Sequence, residues 1–130
     1  MIAQFGKDIR KEAARSEGIV PLSARVGWTD MGLAVHSGQT VHIEGEGTWS
    51  VSPKYGLRDA DGVTQRSFFD YRIYKHAKLG ALLCRVVESD KIYAGKSLHF
   101  MADRDGNVYC RVNDRALGNN EGIVSVHFIR

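Results

Sequence analysis

Oxygen-bearing side chains concentrate in one short segment near the C-terminus of this 130-residue chain. Asn113, Asp114, Asn119 and Asn120 lie there between two runs that are typical of β-strands. Carboxylate and carboxamide oxygens in a short loop, together with backbone carbonyls, are the ligands that a hard cation such as Ca²⁺ takes. The same oxygens can accept hydrogen bonds from sugar hydroxyls. Asn and Asp also build Asx-turns and tolerate left-handed backbone, so a purely structural loop is the alternative.

The common catalytic sequence motifs are absent from the chain. There is no GxSxG, GxxxxGK[ST], HExxH or CxxC motif, and no nucleophile and base are recognisable as a pair. Of the five histidines, His36, His42, His99 and His127 fall within or at the ends of alternating runs and are expected on the surface. His76 lies in an aromatic and basic segment, where it could contact a ligand. The sequence therefore predicts that the protein is not an enzyme.

The two cysteines each lie inside a run that predicts a strand, Cys84 in ALLCRVV and Cys110 in VYCRV. Two cysteines are too few for a disulfide-rich scaffold or a zinc site. Free cysteine is among the most buried residue types, so we expect two buried free thiols. A single cross-strand disulfide is the alternative, and sequence alone does not decide between the two.

The elements that would position these residues are short strands. Val41 and Ile43 alternate with polar neighbours, and the final run places Val124, Val126 and Phe128 on one face, as half-buried strands require. Fourteen glycines against two prolines punctuate the runs with turns. Because no helical segments alternate with the strands, the pattern predicts an all-β antiparallel sandwich or barrel.

Other runs carry more specific predictions. The almost continuously apolar run 79–87 predicts an interior strand, and the aromatic run 68–75 predicts another. The run 97–114 predicts a hairpin that turns at Asp105-Gly106, since an Asp-Gly pair supplies the positive φ of such a turn. The segment Glu44-Gly45-Glu46-Gly47 is expected to break or bulge the strand before Trp49.

The N-terminal part of the chain differs from the rest. Within residues 1–17, Ile2, Phe5, Ile9 and Ala13 recur at helical spacing, so we predict a helix or linker over residues 1–19 and a sandwich domain over 20–130. The first residues show no apolar core of a signal peptide, and no apolar run reaches the roughly 18 residues of a membrane span.

The charge balance is mildly basic. Lys and Arg total 18 against 15 Asp and Glu, which gives a net charge of +3. Arginines, lysines and aromatic residues alternate between residues 58 and 78, an arrangement that can form a groove for single-stranded nucleic acid. A charged outer surface on an aromatic strand explains the same residues more simply, so nucleic-acid binding is disfavoured.

Several motifs together resemble the bacterial PA-I galactophilic lectin family. They are GWTDMGLAV, SGQTVHIEGEGTW, GALLCRVV, ADRDGNVYCRVND, GNNEG and the final SVHF, in that order over roughly residues 20–130. The most specific element is Asn113-Asp114 followed by Gly118-Asn119-Asn120. The resemblance implies a jelly-roll antiparallel β-sandwich of the galactose-binding-domain-like type. It also implies binding of galactose-type glycans through a Ca²⁺ ion at one end of the sandwich.

Carried over by position, the resemblance implies Asp114, Asn119 and Asn120 as metal ligands, with Asp114 and Asn119 also reaching sugar hydroxyls. Tyr55 could stack on the apolar face of a sugar, whereas Trp49 is expected in the core. A single shallow site binds weakly, so a homo-oligomer that multiplies such sites is plausible.

Some residues depart from the family pattern and favour a second hypothesis. The loop between Asp114 and Gly118 is shorter than in the galactose-binding members and contains Arg115. Ser50, Val51 and Ser52 follow Trp49, where those members have a calcium-binding tyrosine carbonyl. The alternative is therefore an accessory protein-interaction domain that keeps the sandwich and has no metal or sugar site.

Overall fold

The computed structural model describes residues 17–65 and 70–129. Within these residues the chain forms nine β-strands and one 3₁₀ turn, Leu117–Asn119. The strands are β1 Glu17–Ser23, β2 Thr29–Val35, β3 Thr40–Glu46, β4 Trp49–Ser50, β5 Leu82–Val86, β6 Tyr93–Ala94, β7 Ser97–Met101, β8 Gly106–Val112 and β9 Glu121–Ile129.

The strands form two antiparallel sheets. The first has the order β1-β9-β3-β7, with β4 also paired to β9, and the second has the order β2-β8-β5-β6. All the strand pairs within them are antiparallel. The predicted all-β antiparallel sandwich is therefore confirmed. The part of the chain described here contains no helix long and apolar enough to cross a membrane.

The core lies between the inner faces of the two sheets, where the period-two pattern places it. Val41 and Ile43 on β3 and Val124 and Val126 on β9 are fully buried, and Phe128 is nearly so. The predicted interior strand is confirmed at β5, where four of five residues are buried. Burying alternate side chains of both sheets removes apolar area from water at roughly 25 cal/mol per Å², which stabilises the sandwich.

Trp49 is buried in this core, as expected. Its indole Nε1 donates a hydrogen bond to the carbonyl of Gly80 at 2.8 Å. The predicted break before Trp49 is confirmed, and within the segment 44–47 it falls at Gly47, because β3 continues to Glu46. At Gly45, a Cβ would lie 2.9 Å from the Cβ of Ala60. Glycine stands there because the core leaves no room for a side chain, and the strand ends just before Gly47, at φ +100°.

The predicted hairpin at 97–114 is wrong in its pairing. Both strands form, but β7 pairs with β3 in the first sheet, whereas β8 pairs with β2 and β5 in the second. The Asp-Gly turn therefore crosses from one sheet to the other. Turn residues specify that the chain reverses, but they do not specify whether the next strand pairs with the previous one or with a strand of the opposite sheet.

The predicted strand at 68–75 is also wrong over its described part. Residues 70–75 form no strand, and Tyr71, Ile73 and Lys75 are exposed. The backbone amides of Ile73 and Tyr74 bind a side-chain oxygen of Asn113 rather than a neighbouring strand. The β-prone aromatic composition of this run is thus overridden by one tertiary interaction.

The N-terminal prediction falls largely outside the described residues. Of the predicted helix over 1–17, only Glu17 is described, and it begins β1. The sheet therefore starts three residues ahead of residue 20, where the sequence placed the start of the sandwich. β1 pairs along its full length with β9, from Glu17 opposite Ile129 to Ser23 opposite Ile123.

The expectation of two free thiols is wrong. Cys84 on β5 and Cys110 on β8 face each other in the antiparallel register and form a disulfide that is fully buried. Their sequence separation of 26 residues closes a loop that contains β6, β7 and the crossover between the sheets. The disulfide therefore restricts the conformations of the unfolded chain between Cys84 and Cys110. This segment contains β6 and β7, which belong to different sheets.

We predict that the double variant Cys84→Ala, Cys110→Ala lowers the free energy of unfolding by about 3 kcal/mol, the value expected for closing a loop of this size. Urea titration followed by tryptophan fluorescence measures the change. Dithiothreitol should destabilise the wild-type protein and leave the variant unchanged. Two thiols that react with Ellman's reagent in unfolded, unreduced wild-type protein would contradict the disulfide.

Candidate functional site

The site is organised by a buried asparagine at the end of β8. Asn113 is inaccessible to solvent. Its Oδ1 accepts hydrogen bonds from the amides of Ile73 at 3.0 Å and Tyr74 at 2.9 Å. Its Nδ2 donates to the carbonyls of Tyr74, Ala77 and Lys78 at 3.0, 3.3 and 2.9 Å. One carboxamide thus satisfies five backbone groups and fixes the shape of the segment 73–78.

Backbone hydrogen bonds join this segment to the loop that follows β8. The amide of Arg115 donates to the carbonyl of Tyr71 at 2.9 Å. Gly80 donates to the carbonyl of Asn113 at 3.0 Å, and Asn113 donates to the carbonyl of Ala81 at 2.9 Å. The 71–81 segment and the loop 113–119 therefore form one connected unit at this end of the sandwich.

The carboxylate of Asp114 is held at the mouth of this unit. The residue is 2% exposed, and its Oδ1 accepts a hydrogen bond from the amide of Ala116 at 2.9 Å. Burial raises the pKa of the Asp114 carboxyl, and hydrogen bonds from Ala116 and Asn120 and the charges of Arg111 and Arg115 partly oppose that rise. The surroundings of Asp114 therefore stabilise its ionised carboxylate less than water does, and in this sense the carboxylate is under-compensated.

Asn120 supplies a second under-compensated oxygen. Its side chain is fully buried, and its Nδ2 donates to the carbonyl of Ala24 at 2.8 Å. Its Oδ1 is buried and accepts no hydrogen bond from any described residue. A buried acceptor without a donor costs about 1–3 kcal/mol. Asn120 also donates a hydrogen bond to the Asp114 carboxylate, so the two predicted metal ligands are in contact, and each has an oxygen atom that could take a cation.

Two arginines lie near these oxygens and are held by backbone carbonyls. Arg111 donates from Nη2 to the carbonyl of Asp114 at 2.7 Å and from Nε to that of Val112 at 2.9 Å. Arg115 donates from Nη2 to the carbonyl of Asp70 at 2.8 Å. Its guanidinium lies 5.6 Å from the ring centroid of Tyr71. Neither arginine has a guanidinium nitrogen within 4.0 Å of a carboxylate oxygen of Asp114.

A cavity of about 460 Å³ opens beside Asp114. Both residues predicted to contact sugar, Asp114 and Asn119, line it. The other lining residues come from the segment after Trp49, the segment 71–79 and the loop after β8. They are Val51, Ser52, Lys54, Tyr55, Tyr71, Leu79, Ala116 and Gly118. The third predicted ligand, Asn120, lies behind the cavity in the buried layer.

The cavity is of a size and composition that suit a small polar ligand. Asp114 and Asn119 offer acceptors and a donor, while Tyr55 and Tyr71 offer aromatic faces. The hydroxyl of Tyr55 is buried and has no hydrogen-bond partner among the described residues. Small-molecule sites commonly combine an apolar lining with a few polar groups that fix orientation.

Sequence reasoning found Asp114, Asn119 and Tyr55 but missed Tyr71, Lys54 and Leu79. Nothing in the local pattern marks these three residues. They belong to loops whose position depends on the hydrogen bonds of Asn113 and on the hydrogen bond from the Trp49 indole to the Gly80 carbonyl. His76, which the sequence singled out, lies outside this cavity. It faces a second one beside Arg72 and Lys75.

A calcium ion at Asp114 would depend on neutral ligands. In the described ranges, 17–65 and 70–129, no three His, Cys, Asp or Glu side chains converge in a way that could hold a metal. The available donors are one carboxylate, the carboxamides of Asn119 and Asn120, and backbone carbonyls. This set fits a hard oxygen-seeking cation and does not fit zinc or copper, which take nitrogen and sulfur ligands.

Comparisons with known proteins support the fold. No protein-family model and no curated protein matches the chain at the sequence level. Among solved structures, the chain is similar to the N-terminal domain of EclA, described as a PllA-like lectin, with a TM-score of 0.67 and 18% identity. The similarity covers 86% of this chain and 94% of that one. The chain therefore has the β-sandwich fold of a lectin domain.

We predict that Asn113→Ala lowers the free energy of unfolding by at least about 2 kcal/mol, because it leaves the amides of Ile73 and Tyr74 without an acceptor and removes a donor from the carbonyls of Tyr74, Ala77 and Lys78. Urea denaturation measures the loss, and hydrogen exchange should show faster exchange of the Ile73 and Tyr74 amides. Asn119→Ala, at an exposed amide, is the matched control and should change stability by less than about 0.5 kcal/mol. Unchanged exchange at Ile73 and Tyr74 would contradict the role given to Asn113.

We predict that Asp114→Asn stabilises the protein at pH 7 without divalent cations. The folded state raises the pKa of Asp114, so ionisation of this group costs the folded state free energy at pH values above the folded pKa. The advantage of the variant should disappear below the ordinary aspartate pKa of about 3.9, where both states are protonated. Thermal melts from pH 3 to 8 in EDTA test this, with the exposed Asp90→Asn as control. A variant less stable than wild type at pH 7 would contradict it.

Proposed function

We propose that the protein is a non-catalytic carbohydrate-binding module that holds a sugar in the cavity beside Asp114. One observation carries the proposal: Asp114 and Asn119, chosen from sequence as hydroxyl-binding residues, line the same cavity, which also contains two tyrosines. The lectin-type fold supports it. No step of chemistry is required of the protein, since binding needs only hydrogen-bond acceptors, a donor and an apolar wall.

The residues of the cavity have distinct roles in this proposal. The Asp114 carboxylate accepts hydrogen bonds from sugar hydroxyls, and the Asn119 carboxamide both accepts and donates. Tyr55 or Tyr71 packs against the apolar face of the ring, as aromatic side chains do with other apolar surfaces. Galactose is the first ligand to test, because its C–H groups cluster on one face of the ring and its hydroxyls lie at the edges.

We further propose that Ca²⁺ takes part, held by Asp114, Asn119 and Asn120. The unpartnered Oδ1 of Asn120 and the under-compensated carboxylate of Asp114 support this proposal. A bound Ca²⁺ would satisfy both oxygens and could accept sugar hydroxyls as further ligands. With one carboxylate among its ligands, the site is expected at the weak end of calcium affinities, with a dissociation constant of about 10⁻⁴–10⁻³ M.

A single site of this kind binds sugar weakly, in the millimolar to micromolar range that corresponds to about 4–8 kcal/mol. Such modules gain effective affinity when several copies engage one glycan. The arrangement of copies therefore matters to function as much as the chemistry of one cavity does.

We predict that about 5 mM Ca²⁺ raises the melting temperature, because an ion bound only by the folded state with the affinity given above contributes about 1–2 kcal/mol. Asn120→Ala should abolish the shift, and Asn107→Ala, an asparagine on another part of the surface, should keep it. Isothermal titration with galactose should give heat in Ca²⁺ and none in EDTA, and glucose, its C4 epimer, should bind more weakly.

The outcomes separate the two hypotheses raised by the sequence. A calcium shift without binding on a glycan array would support the metal site and contradict the sugar site. Sugar binding that persists in EDTA would support the sugar site and contradict the role of calcium. No shift and no glycan binding would contradict both and favour the protein-interaction domain.

A further inference from the structure

The outer face of the first sheet has an unusual composition. Its outward side chains come from the alternate positions of β1, β9, β3 and β7, and none of those described is Lys or Arg, although the chain has 18 of these residues. They are Glu17, Ile19, Pro21 and Ser23 on β1; Glu121, Ile123, Ser125, His127 and Ile129 on β9; Thr40, His42, Glu44 and Glu46 on β3; and Ser97, His99 and Met101 on β7. Depletion of lysine is typical of protein interfaces.

Large apolar side chains are concentrated on this face. Ile19, Met101, Ile123 and Ile129 are 62%, 63%, 56% and 54% exposed. Single exposed apolar residues need no explanation, but several on one flat face mark an interaction surface. The remaining exposed large apolar residues of the described chain are scattered over other loops.

The ionisable residues of the face are histidines and glutamates that lie close to one another. His42 contacts Glu44 at 2.6 Å from Nε2 to Oε1, and His127 contacts Glu46 at 3.2 Å from Nε2 to Oε2. The ring of His99 packs edge-on against that of His42, with centroids 4.2 Å apart. Ser97 donates to Oε1 of Glu44 at 2.7 Å.

The strand pairing arranges these side chains in rows across the sheet. One row runs Glu17, Ile129, His42, His99 from β1 to β7, and the next runs Ile19, His127, Glu44, Ser97. Each row has its apolar residue in the half formed by β1 and β9. The face is therefore asymmetric from one edge to the other.

We propose that this face is the contact between two copies of the chain, related by a two-fold axis that runs parallel to the strands between β9 and β3. Rotation about that axis keeps each row in place and superposes β9 of one copy on β3 of the second, and β1 on β7. His127 then faces Glu44 of the second copy, and Glu17 faces His99 of the second copy. Symmetry repeats both pairs.

The apolar residues are matched by the same rotation. Ile129 lies over the ring of His42 of the second copy, and Ile19 lies over Ser97. Face-to-face packing of two sheets with their strands roughly aligned is an ordinary arrangement. A two-fold contact uses the same patch on both copies, so the patch must complement itself, as these rows do.

The contact places hydrogen-bond donors opposite carboxylates. The ionisable groups on the face are Glu17 from β1, Glu121 and His127 from β9, His42, Glu44 and Glu46 from β3, and His99 from β7. In the two rows, a ring N–H of His127 can donate to Glu44 of the second copy, and one of His99 can donate to Glu17 of the second copy. No two glutamates of these rows face each other.

Sedimentation velocity of the full chain over a range of concentrations at neutral pH tests the proposal, and the wild-type protein should show an equilibrium between monomer and dimer. Ile129→Lys should give monomer throughout that range. Leu57→Lys, at an exposed apolar residue outside the face, is the matched control and should dimerise as wild type does.

A charge exchange tests the geometry of the contact. His127→Glu places like charges opposite each other and should weaken the dimer, as should Glu44→His. The double variant restores a histidine opposite a glutamate across the axis and should recover dimerisation. Circular dichroism and thermal melting of each variant establish that it is folded.

Each contrary result overturns the proposal. A wild-type monomer at millimolar concentration would mean that the face meets the chain's own residues 1–16 or a different protein. A dimer that survives Ile129→Lys would use another surface. Single variants that weaken the dimer without recovery in the double variant would contradict the proposed axis. The proposal does not depend on sugar binding.

Discussion

The end of the sandwich that carries the cavity depends on one buried carboxamide. Asn113 supplies through its side chain the hydrogen bonds that a neighbouring strand would otherwise give to residues 73–78. Buried backbone groups must be paired, and an irregular segment cannot pair with itself as a helix or sheet does. A side chain with both acceptor and donor atoms solves this problem at a single position. The irregular segment can therefore cover the core without leaving its backbone groups unsatisfied.

The consequence for the site is that a residue that anchors the loop is followed directly in the sequence by a polar residue that lines the cavity. Asn113 is fully satisfied inside, and the next residue, Asp114, turns its carboxylate toward the cavity. Positions that anchor the loop and positions that could bind a ligand are thus adjacent on the chain. The loop needs no further ordering when a ligand arrives, and less entropy is lost on binding to a preformed site. The strong hydrogen bonds around Asn113 also explain why the under-compensated oxygens of Asp114 and Asn120 are tolerated.

The sequence predicts the sandwich well because the period-two burial of β3, β5 and β9 is a local property. An oxygen-rich loop is visible as a cluster of residue types, so the sequence also marks Asp114, Asn119 and Asn120 as candidate ligands, and that role stays a prediction. The sequence does not predict that β7 and β8 belong to different sheets, because a turn motif carries no information about the strand beyond its neighbour. The loss of the strand at 70–75 likewise follows from Asn113, some forty residues away. The disulfide depends on the register of β5 against β8, which brings Cys84 opposite Cys110 only once the sheet is assembled.

The outer faces of the two sheets differ in charge, and this difference bears on how copies of the chain could meet. On the second sheet, Arg85 stacks on Trp28 with 4.4 Å from Cζ to the ring, and Arg111 lies 6.0 Å from the same ring. Burial lowers the pKa of Arg111, whose donors are already engaged by backbone carbonyls. Stacking the first sheet of one copy on the second sheet of another would desolvate these guanidinium groups for little new hydrogen bonding. It would also leave both ends open for further copies, as head-to-tail contacts do. A contact between two first-sheet faces avoids both costs and closes on itself, so the segregation of lysine and arginine away from that face favours a discrete pair over a fibre.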